Sequence, residues 1–572
     1  MRFAACLFTF VLASIPASIR GTEREKPKLV VLVVFDQMRG DYLEKWKDLF
    51  GDDGFRRIQK EGTWFTNCHY PYATTTTGPG HASMLTGCSP DQHGIAQNEW
   101  YDRKTAKVVN CSESARYHRV PPMAKVVPSD NPDEPKEVLK EKMAGSPEFL
   151  LAPTVGDALK DATGGKSKVV GLSFKDRSAL LPVGKQADAA YWLDSNDGQI
   201  VTSSYYRDSP HAWVAEFNKK HVADQWFDKP WARFNSDIDY VKRSGPDKVT
   251  GEGIGLKQGS VFPHAMDGGL KKPGKSYYDA LFNSPFGNDF LLELVKSAVI
   301  AEELGKDDVT DLLSVSFSSN DAIGHVWGPD SQEVLDVTLR SDRMLAEFLN
   351  FLDKQVGKGK YVLAITADHG VCPLPEVTAK SRTFAKRIHS RKLLLAADEY
   401  LAERFPSGKL FDLFQPHWIE YASTQWVYLN RNLIEDRKLK PADVEKALAN
   451  FLVNQEGIHR AYTRDDLAKD IPDTDPIGQR VKRSYYPDRC GDVAVIVEPY
   501  CLLTTTPTGT SHGQPHSYDT HVPLLVFGSG VKAEVRKDAV TPQATAAILA
   551  TAAGIKPPKM SAYPAPRGMF NK

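Results

Sequence analysis

Lys28 to Phe35 reads Lys-Leu-Val-Val-Leu-Val-Val-Phe, apolar throughout after its first residue, and it stops at Asp36. Unbroken, β-branched runs of this length predict strands buried on both faces, as in a sheet covered by helices. The pattern returns at Lys168–Phe174, Asp311–Phe317, Tyr361–Thr366, Val493–Val497 and Pro523–Phe527. Between some of them, apolar positions at helical spacing predict helices over Phe290–Leu304, Ser331–Val356 and Pro441–Asn454. Strands and helices alternating over this length predict an α/β fold, with a large central, mostly parallel β-sheet flanked by helices.

Two stretches break the alternation. Pro182 to about Ser284 is rich in Trp, Tyr, Gly, Asp and Lys, and Pro373 to about Asp488 mixes helical segments with turns. Both are expected as insertions or cap elements on one domain spanning 22–572. Long irregular insertions on a sheet scaffold usually carry substrate contacts.

The N-terminus has Met1-Arg2, an apolar run from Phe3 to Ile15, then Pro16-Ala17-Ser18. That order of charge, apolar run and small residues predicts a secretory signal over residues 1–21 and a periplasmic or secreted protein. The run is shorter than the roughly 18–20 residues that a membrane span needs. Removing it takes Cys6 and leaves Cys68, Cys88, Cys111, Cys372, Cys490 and Cys501. An even number of cysteines in an oxidising compartment predicts some disulfides, and no CxxC pair marks a cysteine-bound structural zinc. Charge is balanced, 72 Lys+Arg against 72 Asp+Glu, so no global field recruits nucleic acid or an anionic membrane.

The candidate chemistry lies at strand ends. Asp36 follows the first strand, and Asp368-His369-Gly370 follows Tyr361–Ala367. Asp321 and His325 lie beyond Asp311–Phe317, at an i, i+4 spacing that shares one face of a helical turn. Late in the chain, Thr510-Ser511-His512-Gly513 opens a loop that also holds His516 and His521. Ala73 to Ser83, Ala-Thr-Thr-Thr-Thr-Gly-Pro-Gly-His-Ala-Ser, predicts a loop ending at a helix start, with Thr77 as N-cap and Pro79 in the first turn. A hydroxyl there meets unpaired backbone N–H groups, a setting suited to an anion. Singly, each Asp reads as a turn former and each His as a solvated side chain. Together, three Asp and three His are the oxygen and nitrogen ligands of a two-metal site, with zinc expected and manganese or cobalt also accepted.

This set of motifs resembles the alkaline phosphatase superfamily from Val30 to about Gly530. It is most similar to the bacterial phosphate-irrepressible alkaline phosphatases, a branch that uses threonine and is related to the nucleotide pyrophosphatase/phosphodiesterases. The similarity is carried by Phe35-Asp36, Thr77 to Ser83, Asn98 in Gln97-Asn98-Glu99-Trp100, and Ser173-Phe174-Lys175-Asp176-Arg177. Asp321-Ala322-Ile323-Gly324-His325, Thr366-Ala367-Asp368-His369-Gly370 and Ser511-His512-Gly513 complete it. The resemblance implies a Thr77 nucleophile and two zinc ions per active site. Asp36, Asp368 and His369 would hold one zinc together with Thr77, and Asp321, His325 and His512 the other. His516 and His521 stand close to His512 in sequence, and His512 is preferred for its following glycine.

Substrate class follows from the groups that meet the phosphoryl oxygens. A monoester dianion carries more charge than a diester monoanion, so extra cations favour it. In an extended segment Lys175 and Arg177 would point to one face, the arginine as a fork and the lysine as a point charge. Asn98 could add an amide donor. Spacing alone favours a solvated Lys-Asp-Arg turn, but the resemblance reverses this, implying that the Lys-x-Arg pair marks the monoesterases. The expected function is a phosphomonoesterase of broad specificity, working through a phospho-threonine. It would act as a monomer on small phosphate monoesters, with inorganic phosphate as product and no nucleic-acid partner. The alternatives are a phosphodiesterase using the same Thr77 and zinc pair, and a catalytically silent binding protein that keeps the fold.

Overall fold

The run Leu29–Phe35 forms β1, the strand on which the sheet is centred, and all seven of its residues are buried. The computed structural model describes residues 26–123, 143–406 and 417–571, so the expected signal peptide lies outside the described residues. Ten further strands join β1 in one sheet: β2 (Thr63–Phe65), β3 (Glu113–Val120), β4 (Met143–Gly145), β5 (Val169–Ser173) and β6 (Ala189–Asp194). The others are β7 (Gln199–Ser203), β8 (Asp311–Phe317), β9 (Tyr361–Thr366), β10 (Leu524–Gly528) and β11 (Glu534–Arg536). Their order across the sheet is β11-β2-β10-β9-β1-β8-β5-β6-β7-β3-β4.

The sheet is mixed. Its middle, β9-β1-β8-β5-β6, is parallel, as the apolar runs imply. Antiparallel pairs extend it on both sides, through β10 and β2 at one flank and β7, β3 and β4 at the other. Two expectations are thereby corrected. The run Pro523–Phe527 supplies β10, but it runs against β9. Val493–Val497 belongs to a separate four-stranded antiparallel sheet with Ile419–Ala422, Trp426–Leu429 and Ile458–Thr463. That sheet has its own apolar cluster, which includes Leu401, Trp418, Leu448 and Leu452. Both faces of its third strand are therefore covered, and its sequence reads like a strand of the main sheet.

Seven helices bear on the site: α1 (Thr77–Thr86), α2 (Asp176–Leu180), α3 (Pro285–Ala301), α4 (Ser319–Trp327), α5 (Gln332–Leu352), α6 (Pro476–Ser484) and α7 (Ala544–Ala553). α3 packs on β8 and β5 and on α5, whereas α7 packs on β1, β9 and α1. Every residue of β1, β8 and β9 is buried, so both faces of the sheet are covered. None of the helices among the described residues is long and apolar enough to cross a membrane. Strands β6 and β7 fall inside the first irregular stretch and continue the sheet.

The six cysteines of the described residues are all free and buried, so the expected disulfides are absent. They fill apolar space instead, and burial pushes the Cys111 and Cys490 thiols up to about 12.

Strand register decides what meets at one edge. Phe35 pairs with Phe317, Val34 with Thr366, and Ser316 with Ser173. The carboxyl ends of β1, β8, β9 and β5 are level, and the residues that follow them share one crevice.

Candidate active site

Six side chains from that edge and one loop form two groups of three. Asp36, Asp368 and His369 make one; Asp321, His325 and His512 make the other. Within each group one ligand atom per residue lies within 4.8 Å of the others. Asp36 follows β1 directly, and Asp368-His369 follow β9. α4 carries Asp321 and His325 one turn apart, with His325 Nε2 3.1 Å from Asp321 Oδ1. His512 comes from the late loop, with Nε2 3.7 Å from the same oxygen.

The three imidazoles are oriented alike. His325 Nδ1 bonds to the Thr510 carbonyl at 2.7 Å, His369 Nδ1 to Gly370 at 2.9 Å, and His512 Nδ1 to Thr75 at 2.8 Å. Each backbone carbonyl accepts a hydrogen bond from Nδ1–H, so Nε2 keeps the lone pair that a metal would take. The neighbouring histidines are used otherwise. His516 Nε2 bonds to the Val497 carbonyl at 2.9 Å, and His521 Nε2 to the Thr66 carbonyl at 3.2 Å.

These donors fit divalent metal ions. Asp36 Oδ1, Asp368 Oδ2 and His369 Nε2 are all buried without a well-formed hydrogen bond, although His81 Nδ1 and His369 Nε2 each stand 3.2 Å from Asp368 Oδ2, and a cation among them would satisfy all three. Burial and the Asp368 carboxylate push the Asp36 carboxyl well above the usual range. For Asp368, burial is outweighed by His369 and His81, which hold it well below. Each group offers three protein ligands of oxygen and nitrogen, the pattern of a zinc site with an open position.

Thr77 opens α1, with Thr76 as the N-cap, one residue earlier than the sequence implies. The first turn lies against the first group: a Cβ at Gly80 would stand 2.3 Å from the Asp368 carbonyl oxygen, so only glycine permits the approach. His81 braces the turn, its Nδ1 2.9 Å from the Thr77 carbonyl and its Nε2 2.8 Å from Ser316 Oγ. Asn98 Oδ1 accepts the Gly78 N–H at 2.6 Å, which leaves its amide N–H groups as donors beside Thr77.

Lys175 and Arg177 reach the site by a different route from the extended segment expected. β5 ends at Ser173, Lys175 is the N-cap residue of α2, and Arg177 lies in the helix. Lys175 Nζ sits 2.7 Å from Asp36 Oδ2 and 2.6 Å from Asp321 Oδ2, so one ammonium touches both groups. Burial opposes its charge, but Asp321 and Asp36 outweigh it and raise its pKa. Arg177 is raised likewise: burial is overcome by Asp176, with Asp36 and Asp321 contributing. Its Nε is buried and unpartnered.

The chain matches the family model for type I phosphodiesterase/nucleotide pyrophosphatase over residues 30–519. The chain belongs to that family. It is 35% identical to alkaline phosphatase PafA of Elizabethkingia meningoseptica over 511 residues, covering 89% of this chain and 88% of the relative. It is 34% identical to alkaline phosphatase PhoV of Synechococcus elongatus over 521 residues, covering 91% and 88%. The solved structure of wild-type alkaline phosphatase PafA superposes with a TM-score of 0.84 at 32% identity, covering 96% of this chain and 99% of that one. The fold thus lies within a family of phosphoesterases, and all seven motifs fall inside the matched residues 30–519.

Gln37 was missed by sequence reasoning. Its backbone N–H donates to Asp368 Oδ1 at 3.1 Å, and its Nε2 to Asp321 Oδ1 at 2.6 Å, so it ties the two groups together. Nothing in the sequence singles it out beyond its place next to Asp36. The carbonyls of Thr75, Gly370 and Thr510 were also invisible, because a backbone acceptor has no side-chain signature.

Proposed function

We propose that this protein is an exported, metal-dependent alkaline phosphatase, a phosphomonoesterase of broad specificity that passes the phosphoryl group through Thr77. One observation carries the reading: Lys175 touches a carboxylate of each metal-ligand group, and Arg177 lies beside it. Asp36, Asp368 and His369 would hold one zinc ion, and Asp321, His325 and His512 a second. When bound, the two ions would supply Lewis-acid stabilisation of the attacking and leaving oxygens.

The Thr77 hydroxyl attacks phosphorus and the ester oxygen leaves in line, giving a phospho-threonine. Water then attacks the same phosphorus, inorganic phosphate departs and the hydroxyl is regained. Two in-line displacements retain configuration at phosphorus. Such transfers ask the protein mainly to position groups and neutralise charge. The first-turn N–H groups of α1, the Asn98 amide, the Lys175 ammonium and the Arg177 guanidinium supply that neutralisation. Two cations beyond the metals suit a dianion better than a monoanion. The nearly full-length relatives named alkaline phosphatases support the same choice.

The second reading is a phosphodiesterase or nucleotide pyrophosphatase using the same Thr77 and metals, favoured by the family model that matches. Export to the periplasm or medium rests on the N-terminal pattern of residues 1–21, and action as a monomer is part of the same proposal.

Comparing wild type with Lys175→Ala/Arg177→Ala on an aryl phosphate and its methyl diester, with bound zinc assayed alongside, tests the reading. The monoester rate should collapse while the diester rate and the zinc content hold. Equal loss of both rates, or no loss, would move the assignment to the diesterase.

A further inference from the structure

A second basic cleft of about 560 Å³ lies between α6 and the C-terminal segment, and none of the six metal-ligand candidates lines it. Four arginines face it, Arg480, Arg483, Arg536 and Arg567, against the single carboxylate of Asp538. Arg536 is engaged with that carboxylate at 2.9 Å. Arg480 and Arg483 are half-buried, and among the described residues neither forms an ion pair. Their hydrogen bonds go to neutral backbone: Arg480 Nη1 to the Pro515 carbonyl, and Arg483 Nη1 to the Pro71 carbonyl at 3.2 Å. Burial and the adjacent Arg483 lower the pKa of Arg480, the mark of a cation short of counter-charge. His69 on the same wall adds no charge near neutral pH, since burial, His521 and Arg480 hold it down to about 4.

Two half-buried guanidinium groups that repel each other, of which Arg483 feels the Asp91 carboxylate but makes no ion pair with it among the described residues, are stabilised by an oxyanion. The cleft is larger than bare phosphate fills. Pro71, Pro476 and Tyr563 line the remainder, a surface for an organic body.

The cleft also touches the catalytic loops. The Arg480 carbonyl accepts the Ala73 N–H at 3.1 Å, and Ser484 Oγ accepts the N–H groups of Ala73 and Thr74 at 2.9 Å each. α6 thus fixes the loop leading to Thr77, while the Arg480 guanidinium holds Pro515 in the loop of His512.

We propose that this cleft is a second binding site, separate from the active site, for a phosphate-type oxyanion held by Arg480 and Arg483. Its occupation would stiffen the loops that carry Thr77 and His512.

Calorimetric titration of the metal-loaded protein with inorganic phosphate checks this. Wild type should bind two phosphates per chain. Arg567→Glu reverses a charge on the exposed wall without disturbing α6, and should weaken the second event about tenfold while leaving monoesterase activity in phosphate-free buffer unchanged. Arg480→Gln/Arg483→Gln should abolish that event; if this variant does not fold, Arg567→Glu carries the test. Lys175→Ala/Arg177→Ala should spare it. A single event lost in Lys175→Ala/Arg177→Ala and untouched by Arg567→Glu overturns the proposal, as does equally strong binding of acetate. A single event weakened only by Arg567→Glu supports the cleft and counts against the proposed active site. Phenylphosphonate distinguishes the sources: tighter binding than phosphate assigns the site to an organic phosphate, equal or weaker binding to the free ion.

Discussion

The side-chain amide of Gln37 donates to Asp321 Oδ1 at 2.6 Å, while the Gln37 backbone N–H holds Asp368 at 3.1 Å. A residue that belongs to neither ligand group therefore fixes a carboxylate of each. The geometry is tight. Gln37 has a positive φ of 69°, and a Cβ at Gly324 would lie 1.9 Å from Gln37 Oε1. Carboxylates that bind metals are commonly held by such outer hydrogen bonds, whose loss costs roughly 10–100-fold in metal affinity or activity.

Gln37→Ala should therefore weaken zinc binding about tenfold or more with the fold intact. Competition with a chromophoric chelator reads the affinity, and circular dichroism reads the fold. Affinity equal to wild type would remove Gln37 from the support of the site. Gly324→Ala, which displaces the same amide, should lower affinity in the same direction.

Metal removal should leave the fold but cost stability. The buried atoms of Asp36, Asp368 and His369 that lack a well-formed hydrogen bond would be satisfied by a cation and are left close together without one. A ligand present at about a thousandfold over its Kd stabilises by about 4 kcal/mol. Chelation should lower Tm by on the order of 5 °C in a protein of this size, with zinc restoring it and magnesium failing to do so. An unchanged Tm after verified metal loss would argue that the two groups do not bind metal.

Much of this was legible in the sequence, and the failures have physical causes. Leu29–Phe35 announced a doubly buried strand, and the register that levels Phe35 with Phe317 then brings Asp36 and α4 together. The Asp321/His325 spacing needed only a helix to bring the pair together. By contrast, β2 and β4 are three residues each, and β3 is rich in polar residues, so no apolar run marks them. Val493–Val497 misled because burial on both faces looks the same in either sheet. Lys175 and Arg177 misled in geometry, since a strand that ends two residues earlier lets a helix begin between them. Gln37 and the arginine cleft depend on long-range contacts that no local spacing encodes.

Thr77→Ala should abolish turnover, on the order of a thousandfold or more, while both metals stay bound. Thr77→Ser keeps a hydroxyl at the same place and should retain measurable activity with a trapped phospho-serine at low pH. Gly80→Ala tests the positioning separately. Its Cβ would push the first turn of α1 off the Asp368 carbonyl, so kcat should fall with little change in zinc content. Full activity of Gly80→Ala would mean that the helix need not approach Asp368 so closely.

His93 gives α1 a pH-dependent support. Its Nε2 lies 3.0 Å from Ser83 Oγ within the helix, and its Nδ1 accepts the Ile95 N–H at 3.1 Å. Burial, with the Arg489 cation adding, holds the imidazole down to about 3, against 6.5 when exposed. The unfolded chain therefore takes up a proton below about pH 6.5 that the folded chain refuses until about pH 3. Stability from this residue is complete above the higher value and falls as pH drops between the two, at about 1.4 kcal/mol per pH unit. His93→Gln cannot protonate, and should lose less stability than wild type between pH 7 and pH 4 despite a lower Tm at pH 7. Thermal unfolding of the two proteins at matched metal content measures the difference. Parallel pH curves would show that His93 is protonated in the folded protein, and that its bond from Ile95 does not hold it neutral.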